Sequence, residues 1–130
     1  MTIAIFGSPY PEHFTKYIQH LTKKLESEKI KIIVEEQFNT FLQNTIRFTS
    51  KIDTFDSYEA LRNKADFLFS IGGDGTLLKA VTYVRESSIP IMGINTGRLG
   101  FISSISADQI DDAINDILRE NYKISERTLL

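Results

Sequence analysis

Short runs of consecutive apolar residues alternate along this chain with stretches in which apolar residues recur at helical spacing. The apolar runs predict strands at 2–6, 30–34, 66–71 and 89–94, and helical spacing follows each of them, most clearly at 11–25. Strands that read as unbroken apolar runs are buried on both faces of a sheet. The alternation therefore predicts a three-layer α/β domain with a mainly parallel sheet, right-handed crossovers and helices on both faces.

The later helices are predicted from candidate caps and apolar stripes. One helix begins after Asp56 or Ser57, one covers 76–86, and the last is capped by Ser106. The segment 45–55 shows neither a helical nor a strand period, so the sequence predicts no element there.

One domain is expected from the size of the chain. It has 130 residues, of which 42% are hydrophobic, enough for a single core. We place this domain at 1–121. The last stretch, 122–130, reads as a strand with nothing after it to pair with, so we expect it to begin a crossover into a domain that this chain lacks.

Composition excludes several classes of partner. The formal net charge of -2 and the pI near 5.7 leave no broad basic surface, so we expect neither nucleic acid nor an anionic membrane as a partner. The chain has no cysteine, which excludes disulfides and thiolate metal sites and fits a reducing compartment. No apolar stretch approaches the roughly 20 residues that span a bilayer. We therefore expect a soluble, cytoplasmic protein.

A glycine-rich turn, Gly72-Gly73-Asp74-Gly75-Thr76, separates the apolar run at 66–71 from an amphipathic stretch. Glycines permit positive φ angles and let a ligand approach where a Cβ would obstruct it, and the following helix presents unpaired N–H groups to the same space. The turn is therefore expected to handle phosphate, with one carboxylate, Asp74, among its backbone amides.

A second glycine-bearing loop, 97–101, follows the next predicted strand. In a parallel sheet both loops lie at the carboxyl ends of their strands, where such sheets bind ligands. We expect the two loops to share one crevice.

Two common nucleotide-binding signatures do not fit the turn. The chain has no G-x-x-x-x-G-K-[ST] sequence, and Leu78 stands where a dinucleotide fingerprint needs a third glycine or alanine. A standard NAD-dehydrogenase site is therefore disfavoured. Asp74 could also serve only as a helix cap, a role that asparagine could fill, whereas catalysis or metal binding needs the charge.

The two loops together resemble the amino-terminal, Rossmann-like domain of the ATP-dependent NAD kinases. The resemblance rests on Gly72-Gly73-Asp74-Gly75-Thr76-Leu77-Leu78-Lys79 and on Gly93-Ile94-Asn95-Thr96-Gly97-Arg98-Leu99-Gly100-Phe101. Diacylglycerol and sphingosine lipid kinases have a similar first turn, but they would be expected to carry a Pro-x-Gly-Thr-x-Asn-Asp type of loop in place of 97–101. The second loop therefore favours the NAD kinases.

The resemblance implies transfer of the γ-phosphoryl group of ATP to the 2′-hydroxyl of the adenosine ribose of NAD, giving NADP. It implies ATP as donor, NAD as substrate and a divalent cation, expected to be Mg²⁺. Asp74 is the implied catalytic residue, either as general base or as a partner of the metal ion, and no metal-binding cluster is assigned. The implied binding residues are Gly72, Gly73, Asp74, Gly75, Thr76, Leu78, Lys79 and Phe101.

Each implied role has a structural alternative. Leu78 and Phe101 could be core residues, and Lys79 could be a solvated helix residue. Ser8, after the first strand, could reach a phosphate, but a turn role is simpler.

The family also uses a second acidic motif, in a carboxy-terminal β-rich domain, and we identify no equivalent in this chain. The segment 122–130 resembles the crossover into that domain. We therefore expect the chain by itself to fold but to form little NADP, and the full-length protein to be a homo-oligomer. Two alternatives stay open: a lipid kinase fragment, and a non-catalytic nucleotide-binding regulatory domain in which Asp74 only caps a helix.

Overall fold

The computed structural model describes residues 1–85, 87–96 and 106–119. The strands are β1 (Thr2–Gly7), β2 (Lys31–Glu35), β3 (Asp53–Phe55), β4 (Phe67–Gly72) and β5 (Ile91–Asn95). The helices are α1 (Thr15–Ser27), α2 (Glu36–Leu42), α3 (Tyr58–Leu61), α4 (Asp74–Val84) and α5 (Ile110–Leu118). Short 3₁₀ turns, Glu12–Phe14 and Ala107–Gln109, precede α1 and α5.

The five strands form one parallel sheet in the order β3-β2-β1-β4-β5. The strands β2 and β3 therefore follow β1 towards one edge of the sheet, and β5 follows β4 towards the other edge. This order is that of a doubly wound sheet, whose ligand crevice opens at the strand ends where the direction reverses. The parallel sheet predicted from the sequence is confirmed.

Helices cover both faces of the sheet. One face packs against α1, α2 and α5 through residues that include Ile18, Phe38 and Ile114. The other face packs against α3 and α4, for example through Leu61 and Ala80. The β1-α1-β2 and β4-α4-β5 connections run in opposite directions along the sheet and place their helices on opposite faces, so they have the same hand, as the crossover rule requires. The three-layer prediction is confirmed.

The central strands are buried on both faces, which explains their unbroken apolar sequence. Every residue of β4 is buried, and in β1 the residues alternate between the two cores. Ile3 and Ile5 belong to the α1 side, whereas Ala4 and Phe6 belong to the α4 side. The apolar run of β1 therefore supplies both layers.

Three sequence predictions need correction. The segment 45–55 contains a strand, β3, whose three residues are too few to show a period. The fourth helix begins at Asp74 rather than at 76, because Gly73 is its N-cap. Ser106 does not cap α5: the 3₁₀ turn intervenes, and the N-cap of α5 is Gln109.

Other local predictions are confirmed, and some lie outside the described residues. Ser57, one of the two candidate caps, is the N-cap of α3, and its Oγ accepts a hydrogen bond from the amide of Ala60 at 3.1 Å. The loop 97–101 and the segment 122–130 lie outside the residues that the structure describes.

Candidate functional site

A cleft of about 520 Å³ opens at the switch point, between the carboxyl ends of β1 and β2 and the first turns of α4. Its volume lies within the roughly 300–1,000 Å³ of small-molecule sites. The lining residues are Phe6, Gly7, Ser8, Pro9, Glu35, Gln37, Phe38, Phe41, Gly75, Thr76 and Lys79. The cleft therefore joins three segments that are far apart in the sequence.

Gly72, the last residue of β4, is required by the fold itself. Its φ is +153°, and a Cβ there would lie 2.5 Å from Thr76 Oγ1 and 2.9 Å from Ser8 Oγ. Both the backbone conformation and the close packing exclude a side chain. The structural role of Gly72 is to let the chain turn tightly from β4 into α4.

The other two glycines of the turn behave differently. Gly73 has φ −104°, and Gly75 is the second residue of α4, so the expectation of positive φ holds only at Gly72. A Cβ on Gly73 or on Gly75 would meet nothing within 4 Å. Packing in the described residues therefore gives no reason for glycine at these two positions. Their missing side chains leave space for a ligand to approach the backbone.

A hydrogen bond between hydroxyl groups ties the loop after β1 to this turn. Ser8 Oγ and Thr76 Oγ1 are 2.7 Å apart, and the Ser8 amide donates to the carbonyl of Ile71 at 3.1 Å. Both residues line the cleft. Sequence reasoning favoured a plain turn role for Ser8; its position in the loop after the first strand of a doubly wound sheet was the available signal.

Glu35, at the end of β2, is a cleft residue that sequence reasoning missed. It is only 4% exposed. Its Oε2 accepts hydrogen bonds from the amides of Gln37 at 2.7 Å and Phe38 at 3.1 Å, so it caps α2. An acidic residue directly after an apolar strand was the signal that could have identified it.

The cleft contains charges of both signs. Lys79, the only cation among the described lining residues, has its Nζ 6.0 Å from the centre of the Phe6 ring. Tyr83 also packs against Phe6, with its ring centre 5.1 Å from that of Phe6. Burial raises the pKa of Tyr83, and the negative charges of Glu35 and Asp56 raise it further. The carboxyl ends of β2 and β3 therefore place negative charge near Tyr83.

Asp74 and Leu78 lie on a different side of α4 from the cleft. Asp74 is the first residue of the helix and is partly exposed, and it does not line the cleft. Leu78, one turn later, is 46% exposed, so it is not a core residue. Residues four apart occupy the same helix face, and Asp74 and Leu78 therefore mark a second surface, which we call the Asp74 face.

The strand that leads towards the second loop lies beside the glycine turn. Gly72 is paired with Asn95 in the sheet, and the Thr96 amide approaches the Gly72 carbonyl at 3.4 Å. The loop 97–101 itself, with Phe101, lies outside the described residues. That the two loops share one crevice therefore stays a prediction.

Within the described ranges, no three His, Asp or Glu side chains come close enough together to hold a metal ion. The same ranges contain no helix with the length and apolar character needed to cross a bilayer.

Comparison with known protein families identifies the family to which this chain belongs. The family described as the ATP-NAD kinase N-terminal domain matches residues 3–122. The chain belongs to this family. The match favours the NAD kinases over the lipid kinases that have a similar turn.

Relatives of this NAD kinase domain occur in several bacteria. The chain is 37% identical over 130 residues to the NAD kinase of Christiangramia forsetii, and 38% identical over 130 residues to that of Bacteroides fragilis. Both alignments cover 100% of this chain but 44% of the relative. The chain thus spans less than half the length of the relatives it matches.

A solved structure supports the fold of the NAD kinase domain. The chain resembles yeast NADH kinase, crystallised in complex with NADH, with a TM-score of 0.76 and 17% sequence identity. The likeness covers 93% of this chain and 38% of the yeast chain. At this identity the comparison supports the architecture alone.

Proposed function

We propose that this chain provides the amino-terminal domain of an enzyme that transfers the γ-phosphoryl group of ATP to the 2′-hydroxyl of the adenosine ribose of NAD. The observation that carries the proposal is the start of α4, where one carboxylate stands beside a cleft and next to glycines that packing does not require. Family membership supports the same reaction. Because the relatives extend well beyond the matched part, the activity is proposed for the polypeptide that contains this domain.

Phosphoryl transfer depends on positioning and on neutralising negative charge. The first amides of α4 have no partner within the helix and carry the positive end of its dipole, so they suit phosphate oxygens. Lys79 adds a full positive charge from the next turn, on the side of the helix that faces the cleft. Gly75 leaves the approach to these amides open.

Asp74 is the proposed catalytic residue, either as general base for the attacking hydroxyl or as a ligand of Mg²⁺. A Mg²⁺ ion that arrives with ATP needs only one or two protein carboxylates, because the phosphates supply further oxygen ligands. A single partly exposed aspartate fits that requirement, although the described residues form no larger acidic cluster. When bound, Mg²⁺ would neutralise charge on the phosphates.

The Asp74 face is the proposed acceptor surface. The exposure of Leu78 beside Asp74 leaves an apolar contact for a nucleotide ring. We propose that Leu78 contacts NAD there, with Asp74 close to the ribose hydroxyl, and that Phe101 also contacts NAD.

Four further properties are also proposed. The enzyme is expected to be a cytoplasmic homo-oligomer, to use Mg²⁺ and to bind no nucleic acid. The cysteine-free composition and the net charge of -2 support the location and the lack of a nucleic-acid partner.

The test is NADP formation by the natural polypeptide that contains residues 1–130, measured with ATP, NAD and MgCl₂ in an assay coupled to an NADP-specific dehydrogenase. We expect Asp74→Asn to lower kcat by about 10²–10⁴-fold, because a proton-transfer or metal-binding group loses its charge. Asp112→Asn is the matched control, since Asp112 is an exposed carboxylate on α5.

Absence of NADP formation by the unaltered polypeptide would refute the proposal. Full activity of Asp74→Asn would instead favour the non-catalytic alternative, in which an asparagine serves equally well at the start of the helix. Equal losses in Asp74→Asn and Asp112→Asn would point to a general effect of charge rather than to a role in the reaction.

A further inference from the structure

We propose that the switch-point cleft is the binding site of the phosphoryl donor, with the ribose of ATP on Glu35, the adenine against Phe41 and the triphosphate at the start of α4. The identity of this nucleotide rests on the proposed function. The acceptor then lies outside the cleft, on the Asp74 face.

The position of Asp74 separates the two substrates. A group that activates the acceptor hydroxyl must touch it, yet Asp74 does not line the cleft. The hydroxyl that Asp74 serves therefore lies outside the cleft. The occupant of the cleft is the other reactant, whose phosphates reach the start of α4 from the side of Gly75 and Lys79.

Glu35 has the chemistry to bind a ribose. Its Oε2 is occupied by the amides of Gln37 and Phe38, which hold the side chain in place. Among the described residues, no hydrogen bond reaches Oε1, and the residue lines the cleft. Ribose hydroxyls are donors, and an acidic residue near the end of the second strand is where doubly wound sheets bind them. The negative charge of Glu35 disfavours phosphates beside it, whereas the positive charge of Lys79 attracts them.

Phe41 offers a surface for the base. It is partly exposed in the cleft, whereas its neighbour Phe38 is buried beneath it. The Phe41 ring is held by Tyr10, with ring centres 5.0 Å apart and planes at 82°, and by Phe38, with centres 6.0 Å apart. A ring that is held by two neighbours and is still partly exposed in the cleft offers an apolar contact for an adenine.

The experiment maps binding on the 130-residue chain, without turnover. Backbone amide NMR spectra of the ¹⁵N-labelled chain are recorded during titration with AMP-PNP and MgCl₂, and separately with NAD. We expect AMP-PNP to shift the resonances of Ser8, of residues 35–41 and of residues 75–79. NAD should leave residues 35–41 unshifted.

The matched variants are Glu35→Gln and Glu36→Gln. A glutamine at 35 can still accept the α2 amides, so the fold is retained and its spectrum verifies this. Loss of hydrogen bonds to a charged group should weaken AMP-PNP binding about tenfold or more in Glu35→Gln. Glu36 is exposed and does not line the cleft, so Glu36→Gln should change the affinity less than about twofold.

The site assignment is overturned if NAD shifts residues 35–41 and AMP-PNP does not, or if the two glutamine variants bind AMP-PNP equally well. Either result leaves the proposed NADP formation intact. The opposite outcome is also possible: AMP-PNP could shift the amide resonances of residues 35–41 while the complete polypeptide makes no NADP. That outcome would support this site and refute the proposed function.

Discussion

Gly75→Ala should stabilise the domain and weaken nucleotide binding at the same time. Gly75 is the second residue of α4, and a Cβ there would meet no protein atom within 4 Å. The folded domain therefore loses nothing by accepting a methyl group. The ligand, in contrast, would meet that methyl group on its way to the amides of the first helical turn.

The magnitude follows from the helix position. Alanine in a helix interior is favoured over glycine by about 0.8–1.0 kcal/mol. A Gly→Ala change at a compatible site raises the free energy of unfolding by about 0.4–1 kcal/mol, because it lowers the conformational entropy of the unfolded chain. We expect the free energy of unfolding to rise by about 0.5–1 kcal/mol. A phosphate oxygen bonded to an amide lies about 2.9 Å from its nitrogen, which leaves little room for a neighbouring methyl group. AMP-PNP affinity should fall at least about tenfold.

Gly72→Ala is the control. A Cβ at Gly72 would lie 2.5 Å from Thr76 Oγ1, and the φ of +153° is unfavourable for any residue with a side chain. This variant should therefore lower the free energy of unfolding by about 1–3 kcal/mol. Two alanine substitutions three residues apart are thus expected to have opposite effects on stability.

The assays are urea unfolding of the 130-residue chain and an AMP-PNP titration. A more stable Gly75→Ala variant that binds AMP-PNP with unchanged affinity would refute the idea that this glycine serves a ligand. A less stable Gly75→Ala variant would refute the description of its surroundings as open. A fully stable Gly72→Ala variant would contradict the structure of the turn.

Three other substitutions test contacts at the cleft and on α1. Ser8→Ala and Thr76→Ala should each cost about 1 kcal/mol of stability through their shared hydrogen bond, and the double variant should cost less than the sum; additive losses in urea unfolding would exclude that bond. Burial alone would raise the pKa of Glu26, but hydrogen bonds from Ser50 and Thr49 outweigh it and lower the pKa. A lowered pKa stabilises the fold at pH values above the unfolded pKa, and this contribution is lost as pH falls through the folded pKa. Glu26→Gln should therefore destabilise the chain at pH 7, with a difference that shrinks below about pH 4.5; a difference that does not change with pH would contradict this.

The layers of the fold could be predicted because they depend on local sequence. The β4 run Phe67–Gly72 is apolar except for Ser70 and is buried throughout, so the sequence indicated a strand covered on both faces. Ser57 could be identified as a cap because its partner is the amide of Ala60, only three residues away. Where a contact is local, residue type and spacing are sufficient evidence.

The cleft could not be predicted because its walls come from separate parts of the chain. Ser8 and Thr76 are 68 positions apart, and they meet only because β1 pairs with β4. The pairing of β1 with β4 follows from the order of the strands in the sheet, and the spacing of apolar residues in the sequence does not specify that order. The strand β3 was missed for a related reason, since its three residues are placed by pairing with β2 rather than by a pattern of their own.

Under the proposed function, the start of α4 accounts for how one short motif can serve two substrates. Successive residues of a helix point about 100° apart, so Asp74 and Thr76 face nearly opposite sides while Gly75 lies between them. Thr76 and Lys79 belong to the cleft, whereas Asp74 and Leu78 share the other surface. The phosphate that is transferred would have to pass from one side to the other, and Gly75 is the position between them where the backbone is left uncovered. A side chain at that position would stand between donor and acceptor, whereas elsewhere in the helix it would only change stability.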